Sequence, residues 1–135
     1  MSIFFTYISM LIFFLVVDAV MLMKFMVPLF QANVSELLRD NVNFVAATIF
    51  YVFYVGGIYW FGTQTGLKSN SLLMGIFSGF LLGLLAYGTY EVTSFSLMKG
   101  WTAKMVIVDT LWGGILTGST AGFGVFVNRL LSSQS

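Results

Sequence analysis

The chain has 135 residues, of which 59% are hydrophobic and only 8% are charged, and its net charge is +1. This balance excludes an ordinary soluble domain and gives no argument for nucleic-acid binding. Cys and His are both absent from the sequence. Their absence excludes disulfides and thiolate chemistry, and any metal site would need oxygen ligands alone. We therefore predict an all-α membrane protein in a lipid bilayer, with no metal and no cofactor.

Four apolar segments follow one another along the chain. A helix that spans a membrane needs about 20 mostly apolar residues. The segments that satisfy this length are residues 3–27, 43–61, 72–98 and 104–131. The N-terminal segment lacks a basic start, so we expect it to be a helix rather than a cleaved signal peptide. The sequence thus predicts one membrane domain, residues 1–135, folded as a four-transmembrane-helix bundle.

The ends of these segments carry residues that stop or cap helices. Pro28 is expected to end the first segment, because proline cannot continue a helix without cost. Trp60 and Phe61 are expected to close the second segment. Residues of the capping type precede the third and fourth segments. The predicted caps are Ser69 or Asn70 for the third helix and Thr102 for the fourth.

Aromatic and basic residues near the segment ends indicate the membrane interface. Tryptophan at such ends is typical of the interfacial belt, and lysine there extends towards the headgroups. The predicted interface anchors are Trp60, Trp101, Lys99 and Lys104. More Lys and Arg lie on the side opposite the termini than on the side of the termini. The positive-inside rule therefore favours both termini outside.

Three carboxylates lie inside the apolar segments, which is the feature that bears most on function. They are Asp18, Glu91 and Asp109. With a rise of about 1.5 Å per residue, each lies roughly 8–12 Å below the same membrane face. A carboxylate near the bilayer centre costs about 2.5–3.5 kcal/mol, so it normally faces a protein interior and has partners. We predict that the three form one buried acidic cluster.

Polar and aromatic residues at a similar depth are the predicted neighbours of that cluster. Tyrosine and tryptophan can donate hydrogen bonds to carboxylates. The candidate neighbours are Thr48, Tyr51, Tyr87, Tyr90, Ser94 and Trp112. The structural interpretation is that these groups only fix the register of the helices. The functional interpretation is that they line an ion or substrate site.

Two glycine stripes mark the faces on which helices pack. Small residues at every fourth position let helix backbones approach closely in lipid. On the third segment the stripe is Gly75, Gly79 and Gly83, and on the fourth it is Gly114, Gly118 and Gly122. Gly113 lies with Asp109 on another side of the fourth segment. That segment therefore has two packing faces, as a central helix would.

Several of these elements together resemble a bacterial membrane protein family, domain of unknown function 2177. The third and fourth segments read Tyr90-Glu91-Val92-Thr93-Ser94, Lys99-Gly100-Trp101 and Val108-Asp109-Thr110-Leu111-Trp112-Gly113. The first segment reads Val17-Asp18-Ala19-Val20-Met21, followed by Pro28-Leu29-Phe30. The resemblance covers essentially the whole chain and keeps the order of the elements.

Three positions depart from the pattern of that family. Met21 stands where the family has Trp, Glu91 where it has Asp, and Ser94 where it has Asn. The acidic character of the site is retained, while one indole and one amide donor are lost. The resemblance implies a multi-pass protein of the bacterial inner (cytoplasmic) membrane with four helices. It implies no particular activity.

Three hypotheses for function follow from these features. The first is a non-enzymatic accessory or assembly subunit that packs through its glycine-striped helices against a larger membrane complex or a second copy of itself. The second is a small proton- or cation-coupled transporter that uses the carboxylate cluster. The third is an enzyme acting on a membrane lipid, with Glu91 and Asp109 as acid and base. No catalytic residue is assigned, because no nucleophile–base pair or phosphate loop is recognisable.

Overall fold

The structure is a computed structural model, and it describes residues 2–21, 24 and 44–133. The helices of these residues are α1 at Ser2–Met21, α2 beginning at Phe44, α3 at Leu72–Leu97 and α4 at Ala103–Ser133. The predicted all-α membrane fold is confirmed. The predicted end of the first segment, at residue 27 and Pro28, lies outside the described residues.

Three of the helices are long and apolar enough to cross a membrane. The corresponding stretches are Ile3–Met21, Leu72–Leu97 and Ala103–Leu131. The uninterrupted α-helical part of α2, Phe44–Ile58, has 15 residues, which is short of the roughly 20 that a span requires. That α2 also crosses the membrane therefore stays a prediction.

The second helix is longer than the sequence predicts. After Ile58 it passes through a π-helical turn, Tyr59–Thr63, and a last α-helical turn, Gln64–Lys68. The predicted end at Trp60 and Phe61 is thus wrong by seven residues. Glycine disfavours a helix, and both Gly62 and Gly66 lie in this extension. Packing against α3 overrides that preference, because a Cβ at Gly66 would lie 3.0 Å from the Cα of Gly75.

The connection between α2 and α3 uses different caps from those predicted. Asn70 has a left-handed backbone, with φ of 52°, and closes the end of α2. The cap of α3 is Ser71, whose hydroxyl accepts a hydrogen bond from the backbone N–H of Met74 at 3.2 Å. The predicted cap of α4 is confirmed, since the hydroxyl of Thr102 accepts from the N–H of Met105 at 3.2 Å.

Close backbone contact between α3 and α4 is the main packing feature of the fold. All six glycines of the two stripes are buried, as is Gly113. A Cβ on Gly79 would lie 3.0 Å from the Cα of Gly118, and one on Gly83 would lie 2.8 Å from the Cα of Gly114. These pairings show that α3 and α4 run antiparallel. Gly122 lies against the side chain of Ile76, so the stripe of α4 faces α3 along its length.

The fourth helix lies at the centre of the described helices. It packs against α1, α2 and α3, and 56% of its apolar stretch is buried, compared with 22% for α1 and 17% for α3. The predicted second packing face exists, since Thr117 and Ala121 face α2. Large apolar side chains of all four helices are exposed on the outside, which suits a surface facing lipid acyl chains.

Replacing Gly83 by Ala should destabilise the bundle. The added methyl group would overlap the carbonyl of Gly113, and overpacking of this kind costs about 1–3 kcal/mol. The matched control is Gly57→Ala in α2, where a Cβ would meet nothing within 4 Å. Thermal unfolding in detergent should show a lower midpoint for Gly83→Ala only. Equal midpoints for the two variants would contradict this packing.

Candidate functional site: a buried carboxylate cluster

The three carboxylates lie at one end of the bundle, where α1 and α3 end and α2 and α4 begin. The antiparallel packing of α1 and α4 brings Asp18 to Trp112, and that of α3 and α4 brings Glu91 to Asp109. Asp18 and Glu91 are buried, and Asp109 is half-buried. Each carboxylate belongs to a helix that is long and apolar enough to span a membrane.

Glu91 is held by a tryptophan of the loop between α3 and α4. The indole N–H of Trp101 donates a hydrogen bond of 2.9 Å to Oε1 of Glu91. Trp101 is itself buried, and its indole points into the protein. The prediction that Trp101 anchors the chain at the membrane interface is corrected accordingly. Gly100, with φ of 84°, supplies the left-handed backbone that turns the loop inwards.

The second oxygen of Glu91 is the most unusual atom of the cluster. Glu91 has no exposed surface, and among the described residues no N–H or hydroxyl group donates a hydrogen bond to its Oε2. The carboxyl group of Asp109 lies beside Glu91, within hydrogen-bonding reach of its carboxylate. A buried pair of carboxyl groups is costly, and such pairs are expected at sites with a function rather than in packing alone.

Asp18 has partners from two other helices. The indole N–H of Trp112 donates to its Oδ1 at 3.4 Å, and the Tyr51 hydroxyl of α2 is within hydrogen-bonding reach. The ring of Phe14 packs edge-on against Tyr51, with 5.2 Å between centroids. Asp18 thus joins α1 to both α2 and α4. Because the other residues on its face of α1 are apolar, its hydrogen-bond partners have to come from other helices.

Aromatic rings cover the inner side of the cluster. Tyr87 packs on Gly113, where the missing side chain leaves room for its ring, and it lies within electrostatic range of Asp18 and Asp109. Tyr54, which the sequence analysis did not include, lies with its ring centroid 6.1 Å from that of Tyr87. Tyr54 lies three residues after Tyr51 and therefore shares its helical face, so the sequence could have predicted it as a neighbour of the cluster.

The other predicted neighbours differ in exposure, and Tyr90 lies within electrostatic range of Glu91 and Asp109. Thr48 is exposed, because the first turns of α2 are not covered by the other described helices. Tyr90 is 55% exposed and stacks edge-on against Trp101, while Ser94 is buried beside it. The remaining predicted anchors, Trp60, Lys99 and Lys104, are exposed.

The arrangement offers negative charge surrounded by aromatic rings. Carboxylates and aromatic faces both attract cations, and the attraction increases where water is excluded. Two indole N–H groups occupy one oxygen of Glu91 and one of Asp18, which orients these carboxylates. Among the described residues no group of three or more His, Cys, Asp or Glu side chains has the geometry of a metal site.

The fold and the site define a small helical membrane protein with acidic residues inside its bundle. Residues 3–126 match the model of the family described as "Predicted membrane protein (DUF2177)". The chain therefore belongs to that family, and the resemblance seen in the sequence is confirmed. Comparison with curated proteins and with solved structures finds no match.

Replacing Trp101 by Phe should destabilise the protein through Glu91. The change leaves Oε1 of Glu91 buried without its donor, which costs about 1–3 kcal/mol. The same change at the exposed Trp60 should stay within about 0.5 kcal/mol. The midpoint of thermal unfolding in detergent measures the stability of both variants.

A double-mutant cycle with Glu91→Gln separates this bond from general packing. If the bond matters, Trp101→Phe costs less in the Glu91→Gln background than in the wild type. Strictly additive effects would contradict a direct interaction between the two side chains.

Proposed function

We propose that this protein is a small proton- or cation-coupled membrane transporter whose carboxylate cluster binds the transported or coupling cation. The observation that carries the proposal is Glu91, which is fully buried and shares its site with the carboxyl group of Asp109, within hydrogen-bonding reach. Ionisable groups within membrane helices commonly mark ion or substrate pathways.

The surroundings of the cluster favour a cation as the ligand. Asp18, Glu91 and Asp109 bring three carboxyl groups to one place, and the lysines nearest to them in sequence, Lys24, Lys99 and Lys104, are exposed. The rings of Tyr54 and Tyr87 add faces that attract organic cations. A lipophilic cation is therefore the class of substrate that suits this site best.

The packing of the glycine stripes weighs against the alternative, an accessory subunit. That hypothesis has the subunit pack against its partner through the glycine-striped helices. In the structure Gly79 and Gly83 contact α4 of the same chain, and Gly118 and Gly122 contact α3. The stripes are thus used within the bundle, and they are not free to pack against a partner helix.

Binding of tetraphenylphosphonium, a lipophilic cation, tests the proposal. We expect the purified protein in detergent to bind it, with binding that weakens as the pH falls because protons compete for the carboxylates. Glu91→Gln should lower the affinity by at least about tenfold, equal to roughly 1.4 kcal/mol. Equilibrium dialysis with the labelled cation measures this change.

The matched control is Glu36→Gln, a carboxylate that lies between the first two apolar segments of the sequence. It should leave binding unchanged. Equal binding by Glu91→Gln and the wild type would overturn the proposal. Native mass spectrometry of gently extracted protein provides a second test, since a stoichiometric protein partner would favour the accessory subunit instead.

A further inference from the structure

The three carboxyl groups of the cluster differ in the hydrogen-bond donors that the fold gives them. Asp18 has the indole N–H of Trp112 and lies within reach of a tyrosine hydroxyl of α2. Glu91 accepts the indole N–H of Trp101 at its Oε1. For Asp109, the side-chain hydrogen bond within reach among the described residues is the one to Glu91. Asp109 is thus the carboxyl group whose partner is another carboxyl group.

A hydrogen bond between two carboxyl groups requires a proton on one of them. Ionised carboxylates can only accept hydrogen bonds, and two of them side by side in a medium of low dielectric repel each other. The carboxyl group of Asp109 lies within hydrogen-bonding reach of Glu91, which has no exposed surface. Two carboxyl groups in such a place are expected to hold one proton between them.

The contacts of Glu91 indicate which member of the pair carries that proton. No N–H or hydroxyl group among the described residues donates to its buried Oε2, and a protonated Asp109 supplies the donor that this oxygen lacks. The indole of Trp101 can only donate, so its bond to Oε1 favours the ionised form of Glu91. Asp109 also keeps some exposed surface, whereas Glu91 has none. Asp109 is therefore the member that can exchange a proton with its surroundings.

The other titratable groups around Asp109 supply no positive charge. Those within electrostatic range come from each helix that packs against α4, and they are carboxyl groups and phenols. They are Asp18 of α1, Tyr51 of α2, and Tyr87, Tyr90 and Glu91 of α3. The described lysines nearest to the cluster in sequence, Lys24, Lys99 and Lys104, are exposed. Within the described part of the bundle, the charge of the carboxyl pair is therefore left for a proton or a cation to balance.

We propose that Asp109 carries a proton that it donates to Oε2 of Glu91, and that this proton leaves when a cation enters the cluster. The protein thus exchanges one proton for one cation. The inference deepens the proposed function and rests on it for the cation. It names the proton as the coupling ion, Asp109 as the group that carries it, and exchange as the mode of coupling.

The exchange keeps the charge inside the bundle constant. As the cation arrives, the O–H bond of Asp109 breaks, its electron pair stays on the carboxylate, and the proton passes to the water outside the protein. One positive charge enters as one leaves, so the net charge of the cluster is the same before and after. A constant charge matters here because each uncompensated charge inside an apolar bundle is costly.

Counting the protons released when tetraphenylphosphonium binds tests the exchange. This cation has no proton of its own to lose, so every proton released comes from the protein. The full chain is kept in dodecyl maltoside with little buffer and a pH-indicator dye, and the cation is added until binding saturates. We expect about one proton released per cation bound, and an affinity that rises about tenfold for each unit of pH.

Two conservative variants assign the proton to a residue. Asp109→Asn keeps the shape of the side chain, and its amide still donates to Oε2 of Glu91, so the protein should fold. Its cation binding should release almost no proton and become nearly independent of pH. Asp18→Asn is the matched variant, because it also replaces a carboxyl group of the cluster by an amide. It should weaken binding but still release about one proton per cation at saturation.

Infrared spectroscopy detects the proton on Asp109 without any cation. The carbonyl group of a protonated carboxyl absorbs at a frequency that ionised carboxylates lack. At neutral pH this absorption should be present in the wild type, lost in Asp109→Asn and retained in Asp18→Asn. A wild type without this absorption would overturn the inference whether or not the cation binds.

The two measurements separate failure of the exchange from failure of the proposed function. Cation binding without proton release, or equal release by Asp109→Asn and the wild type, rejects the exchange and leaves the proposed function standing. The carboxyl absorption without any cation binding rejects both the exchange and the proposed function, and leaves only the proton on Asp109.

Discussion

The backbone contact between α3 and α4 is the constraint on which the rest of the structure depends. Two helices with ordinary side chains between them pack 8–10 Å apart, whereas facing glycines allow the backbones to approach more closely. Gly79 against Gly118 and Gly83 against Gly114 set this approach. Because the same helices continue to Glu91 and Asp109, the contact also brings two short acidic side chains together.

The cluster that results is held by donors from different parts of the chain. One indole comes from a loop and reaches Glu91, and the other comes from α4 and reaches Asp18. Neither donor carries a charge, so the hydrogen bonds orient the carboxylates without neutralising them. A site built in this way retains its attraction for a cation, which a site closed by lysine or arginine would lose.

Sequence patterns with a regular period gave the most accurate predictions of structure. The membrane-length segments and the glycine stripes follow from hydropathy and from four-residue spacing, and the described residues contain three helices of that length and packed glycines. Where tertiary contacts override local preference, the same reasoning was less accurate. The extension of α2 past Phe61 depends on its glycines packing against α3, which no local signal shows.

In the candidate site, too, some features could be predicted from sequence patterns and others depend on tertiary contacts. Its carboxylates could be found because charge is conspicuous in an apolar segment, and the rise of a helix predicts that they lie at the same end of the bundle. The role of Trp101 could not be found in this way. A tryptophan near a helix end fits the interface as well as it fits the interior, and only the backbone turn at Gly100 decides between them.

The position of Trp101 in a loop has a consequence for how this chain tolerates changes in length. Loops between membrane helices usually accept added residues easily, since they lie in water and contact little. Here the indole of Trp101, which donates a hydrogen bond to Glu91, belongs to such a loop. Trp101 and Glu91 are ten positions apart along the chain. An insertion between α3 and α4 would therefore detach the indole from the carboxylate, so this short connection is as restricted in length as the interior of a helix.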